Sequence, residues 1–117
     1  MSIIPRNATI RSTMLGVEDH GIMTFMLDLD YGSSGQGAGG YALDGKPRTP
    51  SGERRGVEGS IVLIRKILEI VGVEKWEDLP GKHIRVWQDN SNVYAIGHIT
   101  KDNCLNFQEF FDAYKNV

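Results

Sequence analysis

Five of the nine residues from Gly32 to Gly40 are glycine, within the stretch LDLDYGSSGQGAGGYALD that runs from Leu27 to Asp44. Glycine adopts positive φ freely and lets a backbone lie close against another group, but it loses more conformational freedom on folding than any other residue. So dense a run is costly for a mere connector. Two readings stay open: a loop that faces a ligand, or a long turn with bulges. Both flanks read as strand, so the run is expected at the tip of a hairpin.

The flank before it is the clearest strand in the chain. In IMTFMLDLDY, Met23, Phe25, Leu27, Leu29 and Tyr31 share one face, and Thr24, Asp28 and Asp30 the other, the pattern of a half-buried strand. Asp28 and Asp30 are then its solvated side rather than a catalytic pair. NATIRSTML, Asn7 to Leu15, reads as the preceding strand, and GVEDHG as the turn between them, with His20 a turn residue that no spacing joins to a nucleophile or acid. After the glycine run, GYALD resumes as a short strand. Residues Gly45 to Gly56, GKPRTPSGERRG, hold two prolines, three glycines and four basic residues, which makes a second loop. Lys46, Arg48, Arg54 and Arg55 there are either a solvated basic stretch or a set of phosphate donors.

VEGSIVLIRKILEIVG is helical in period, with Val57, Ile61, Ile64, Leu68 and Val71 on one stripe, widened by Ile67, and Gly72 as its stop. Val62, Leu63 and Ile70 broaden the apolar face beyond what one small sheet covers, which points to burial by another subunit. VEKWEDLPG reads as a helical turn with Trp76 and Leu79 inward. HIRVWQ and NVYAIGHI flank a DNSN turn as a second hairpin, with His83, Arg85 and Trp87 on one face. An arginine between aromatic rings suits a base-and-phosphate platform and equally suits cross-strand packing. Asn106 followed by Glu109 resembles a capping box opening a last helix, whose Phe107, Phe110, Phe111 and Tyr114 form an aromatic stripe. The expected fold is a single α+β domain over residues 1–117: a small antiparallel sheet built from two hairpins, packed by one long helix and a C-terminal helix.

Length and composition fit that domain, at 117 residues with 40% hydrophobic and 24% charged. Apolar runs such as Ile61 to Ile64 are far short of a membrane span. MSIIPRNATI lacks the basic and then longer apolar segments of a secretory signal, so a cytoplasmic protein is expected. One cysteine, Cys104, and three scattered histidines predict neither a disulfide nor a zinc site, and no cofactor is expected. A net charge of −2 argues against a duplex nucleic-acid partner.

Four segments, STMLGVEDHGIMTFMLDLDYG, QGAGGYALD, VGVEKWEDLPGKHIRV and AIGHI, occur in the order and spacing of one family. Together they resemble the first described type of phage Thoeris anti-defence sponge and span most of the chain from about Ser12 to Ile99. The resemblance implies a small α+β protein, dimeric and in some members hexameric, that binds glycocyclic ADP-ribose signals in the host cytoplasm during infection and hides them from an NAD-cleaving effector. Some relatives also bind cyclic trinucleotide signals at a separate site. No ligand is degraded, so the resemblance implies a non-enzyme.

On that footing the glycine and basic stretches border the ligand. The expected ligand-binding residues are Gln36, Gly37, Gly39, Tyr41 and Arg54, with Arg85, Trp87 and His98 from the second hairpin. An enzyme hydrolysing such a signal is the alternative; it needs a general base beside a nucleophile or a metal, and no spacing joins His83, His98, Asp28 and Asp30. A single-stranded nucleic-acid binder is disfavoured by the acidic balance.

Overall fold

The structure, a computed structural model, describes residues 5–18, 21–45, 55–56 and 58–114. Two three-stranded antiparallel meanders make one sheet. The first consists of β1 (Arg6–Val17), β2 (Met23–Asp30) and β3 (Gly35–Gly39). After a two-stranded ladder of β4 (Asp44–Gly45) and β5 (Arg55–Gly56), helix α1 (Glu58–Val71) and a 3-10 turn (Trp76–Asp78) lead to the second meander. It consists of β6 (His83–Gln88), β7 (Val93–His98) and β8 (Cys104–Asn106), and α2 (Phe107–Tyr114) closes the described chain. The six strands lie in the order β3-β2-β1-β6-β7-β8, so β1 and β6 join the meanders. This is the α+β arrangement expected, each hairpin extended by a third strand.

One face of the sheet carries the core. Ala8, Ile10, Phe25, Leu27, Leu29, Ala38, Ile84, Val86, Ile96 and Leu105 form one buried cluster with Leu63, Ile67 and Ile70 of α1 and Phe107 and Phe110 of α2. The alternation expected for β2 is observed from Phe25 onward, with Phe25, Leu27 and Leu29 fully buried, but not at its start, where Met23, expected inward, is exposed and Thr24, expected outward, is buried with its hydroxyl hydrogen-bonded to backbone. Helix α1 ends where expected, at Gly72 with φ +92°. Its inward stripe differs. The helix buries Leu63, Ile67, Ile70 and Val71, while Ile61, expected inward, is 73% exposed. A helix apolar over most of its circumference does not reveal its inward side by period alone, because packing against the sheet selects it. Trp76 is half-buried, edge-on to Phe25 at 6.1 Å between ring centroids, and Leu79 is buried as expected.

The glycine run is not a loop. Gly35–Gly39 is an edge strand paired with β2 in continuous register from Asp30↔Gly35 to Met26↔Gly39. The turn is short, closed by the Tyr31 N–H donating to the Ser34 carbonyl at 2.9 Å. GYALD is correspondingly a connector rather than a strand until Asp44. Composition favoured a loop because glycine lacks strand propensity; the hydrogen-bonding edge of β2 overrides it. Close approach explains part of the run. At Gly39 φ is +129°, and a Cβ would lie 2.5 Å from the Phe25 carbonyl oxygen and 3.0 Å from the Phe25 ring. Gly32 also has positive φ, +101°, but a Cβ there meets nothing within 4 Å. In urea denaturation Gly39→Ala is therefore expected to cost at least about 2 kcal/mol more than Gly32→Ala, since both bear backbone strain and only Gly39 adds overlap with a buried ring.

Candidate functional site

The connector after β3 places an aromatic ring against the last helix. Thr24 Oγ1, buried in β2, donates to the Tyr41 carbonyl at 2.7 Å and fixes that residue's backbone. The Tyr41 ring then lies 5.3 Å from Phe107 and 4.6 Å from Phe111, both tilted contacts. These rings wall a cleft of about 260 Å³, completed by Val93 and by the polar side chains of Asn92, Tyr94 and Gln108. Such a surface offers aromatic area to a planar group, with amide and phenol groups at its border to bond ring nitrogens or hydroxyls. Burial pushes the Tyr41 phenol above its ordinary pKa, so at neutral pH it carries its proton.

The far wall depends on the turn between β6 and β7. The Asp89 carboxylate accepts from the backbone N–H of Ser91 at 2.7 Å and of Asn92 at 2.8 Å, and from the Tyr94 hydroxyl. Those bonds, the Tyr94 bond foremost, hold the Asp89 carboxyl below the usual aspartate range, and the same bond raises the Tyr94 phenol. The Asp89 carbonyl accepts from Gln36 Nε2 at 3.1 Å, and Gln36 Oε1 accepts from the Tyr31 hydroxyl at 2.7 Å. The Arg6 guanidinium sits 4.2 Å over the Tyr31 ring. Gln36 therefore ties edge strand β3 to the turn that carries Asn92 and leads into Tyr94 on β7.

Of the expected ligand residues, Tyr41 lies in this cleft and Gln36 braces it from behind. Gly37 and Gly39 lie in β3; a Cβ at Gly37 would meet the Met26 sulfur at 3.0 Å. Arg85, Trp87 and His98 form a separate unit. Arg85 Nε donates to the His98 carbonyl at 2.8 Å and Nη2 to the Lys101 carbonyl, with its guanidinium 5.4 Å from the Trp87 ring. Trp87 covers Gly97, where a Cβ would lie 2.8 Å from its ring. His98 Nδ1 accepts from the N–H groups of Thr100 and Lys101 at 3.1 and 3.0 Å, which assigns the ring proton to Nε2. These contacts brace the turn from β7 to β8. Arg54, with Lys46, Arg48 and His20, lies outside the described residues. The cleft residues not anticipated are Asn92, Val93, Tyr94 and Gln108, and the aromatic stripe on α2 was the available signal for Phe107 and Phe111.

The sheet face opposite the helices is open and charged. A bulge between Ile10 and Ser12 leaves Arg11 and Ser12 both exposed on this face, where Arg11 Nε and Nη2 donate to the two Asp28 oxygens at 2.9 and 3.0 Å. That bond holds the Asp28 carboxyl below the ordinary range. Thr9 Oγ1 lies 3.0 Å from His83 Nδ1 beside a shallow cleft of about 220 Å³ lined also by Asn7, Asp30 and Tyr31. Asp30 pairs with Thr9 from β2, on the side away from His83 on β6, so it does not orient the imidazole. Among the described residues no group of three or more His, Cys, Asp or Glu side chains is placed to hold a metal ion, and no helix is long and apolar enough to cross a membrane.

A scan against protein-family models, a search of curated proteins and a search of solved structures each find no match to this chain.

The Asp89 hub generates a pH prediction. Its folded pKa is depressed, so its contribution is present above the unfolded pKa and is lost as pH falls through the lower folded value. Acid unfolding below about pH 4 is expected to be shallower in Asp89→Asn than in the parent, as read by circular dichroism. The Tyr94 ring resonances, which follow the turn, are expected to move with the same midpoint in the parent.

Proposed function

We propose that this chain binds a cyclic ADP-ribose isomer, glycocyclic ADP-ribose by the family resemblance, and sequesters it unchanged as a phage anti-defence protein in the host cytoplasm. The observation that carries the reading is the cleft of Tyr41, Phe107 and Phe111 bordered by Asn92 and Gln108. It presents stacking area and amide hydrogen bonds together, the chemistry that holds a nucleobase. The basic stretch that contains Arg54 follows the Tyr41 connector in sequence and supplies phosphate-binding charge in this reading. A cyclic ligand has already lost most of its torsional freedom, so base and phosphates engage with little further ordering cost. A separate site for a cyclic trinucleotide belongs to the same proposal.

The second reading is a hydrolase for such a signal, and the Thr9 to His83 hydrogen bond favours it, as a hydroxyl beside a candidate base. One experiment separates the two. Protein is incubated with glycocyclic ADP-ribose, heated to denature it, and the released nucleotide is assayed; the sponge reading expects the intact ligand back, the hydrolase reading a linear product. In calorimetry, Tyr41→Ala and Arg54→Ala are each expected to weaken binding at least about tenfold. Linear ADP-ribose is expected to bind at least about a hundredfold more weakly than the cyclic ligand. Equal affinity for the two would remove the ring from recognition.

We also propose that the protein is a homo-oligomer, a dimer or a hexamer. Ile61 is 73% exposed on α1, and at helical spacing from it Ile64 and Leu68, which pack against the core, remain half-buried, so the stripe keeps an open apolar edge. A second copy covering that stripe accounts for it. Ile61→Lys is expected to shift light scattering at micromolar concentration toward the monomer mass of 13.0 kDa, with circular dichroism unchanged.

A further inference from the structure

Strand β1 runs past the end of one of its neighbours. Its pairing with β6 closes at Thr9↔His83, and the turn before β6 reaches one residue further, where the Ile10 N–H donates to the Lys82 carbonyl at 2.8 Å and the Gly81 N–H to the Ile10 carbonyl at 2.7 Å. Pairing with β2 continues to Val17↔Met23. From Arg11 to Val17, β1 therefore has β2 on one side and, among the described residues, no strand on the other.

The bonds of β2 show which backbone groups face that open side. The Phe25 carbonyl accepts from the Gly40 N–H, and Met23 donates its N–H to Asp44 and accepts at its carbonyl from Leu43. Both residues spend these groups away from β1. Their partners Leu15 and Val17 thus turn their own N–H and C=O to the open side, and by antiparallel alternation Thr13 does the same. Apolar exposure gathers at the same end. Of the five large hydrophobic side chains exposed among the described residues, Leu15, Val17 and Met23 lie here, Val17 at 69%, on the face that carries Phe25. From Ser12 to Val17 the segment STMLGV holds neither charge nor proline, the devices by which edge strands avoid pairing with other chains.

We propose that this edge pairs with the same edge of a second copy, antiparallel about a twofold axis through Leu15, so that one sheet runs through both copies. In that register Thr13, Leu15 and Val17 meet Val17, Leu15 and Thr13 of the copy. Each residue then lies opposite one that also turns its backbone outward, and their side chains stay on the core face of both copies. No like charges meet, since Arg11, bonded to Asp28, precedes the segment and Glu18 follows it, and antiparallel pairing brings opposite ends together. The contact goes beyond the α1 stripe and is separate from it, because α1 packs over β7 and β8, in the other half of the sheet.

The test is amide hydrogen exchange on the full chain, followed by NMR from low micromolar to submillimolar concentration. The Thr13, Leu15 and Val17 amides are expected to exchange at least about tenfold more slowly at the high end. Leu15→Lys, at an exposed position, sets like charges opposite each other on the axis and is expected to abolish that dependence with circular dichroism unchanged. Ile61→Lys is expected to preserve it. Leu15→Cys in a Cys104→Ser background is expected to give a disulfide-linked dimer under mild oxidation, because residues on the axis come within bridging distance. Fast exchange at every concentration overturns the pairing, as does protection that both dilution and Leu15→Lys leave in place. Dependence lost in Ile61→Lys but kept in Leu15→Lys overturns it as well.

Discussion

The Phe25 ring is the contact on which this fold turns. It is fully buried in β2 and meets side chains from three other parts of the chain: Tyr41 at 6.2 Å, Trp76 at 6.1 Å and Phe107 at 6.4 Å between centroids. Its carbonyl also accepts from the Gly40 N–H at 2.7 Å, which draws the end of the edge strand inward. Connector, 3-10 turn and terminal helix are thereby referred to a single residue. The tilted and edge-on geometries suit the quadrupoles of the rings, and each such pair adds about 0.5–1.5 kcal/mol beyond its buried area. Because Tyr41 and Phe107 stand on this ring, the shape of the candidate cleft follows from the packing of the core.

Patterns carried by neighbours in sequence were legible before the fold was known. The alternation of β2, the shared face of His83, Arg85 and Trp87, the Gly72 stop and the Asn106 cap all depend on local backbone geometry. The Glu109 N–H indeed donates to Asn106 Oδ1 at 3.0 Å. What was missed depends on partners distant in sequence. The glycine run reads as a loop until β2 offers it a hydrogen-bonding edge. The inward side of α1 is ambiguous until the sheet selects Leu63 and Ile67. Tyr41 was singled out from its place beside the glycines, but its neighbours Phe107 and Phe111 come from the opposite end of the chain, and no spacing rule connects them.

The two sheet faces divide the chemistry. The covered face holds the rings and the cleft they wall. The open face holds the Arg11 to Asp28 pair and the Thr9 to His83 hydrogen bond, both largely in solvent, where ion pairs contribute little to stability. Arg85 shows how a side chain suited to phosphate can be used instead to hold backbone, since two of its donors end on carbonyls of the next turn. The composition of the second hairpin is therefore accounted for by bracing, while the cleft formed by Tyr41 and α2 carries the case for a ligand.

The joint between β1 and β6 has a consequence for how the chain reaches this state. Each meander closes through short turns, but the meanders meet through four register pairs, from Arg6↔Val86 to Thr9↔His83. Thr9 and His83 are 74 positions apart. Contacts within each meander form at small entropic cost, whereas the seam requires closure of one long loop before any of its bonds is gained. Among the ladders of the described sheet, the seam is thus the one whose bonds depend on closing the longest stretch of chain.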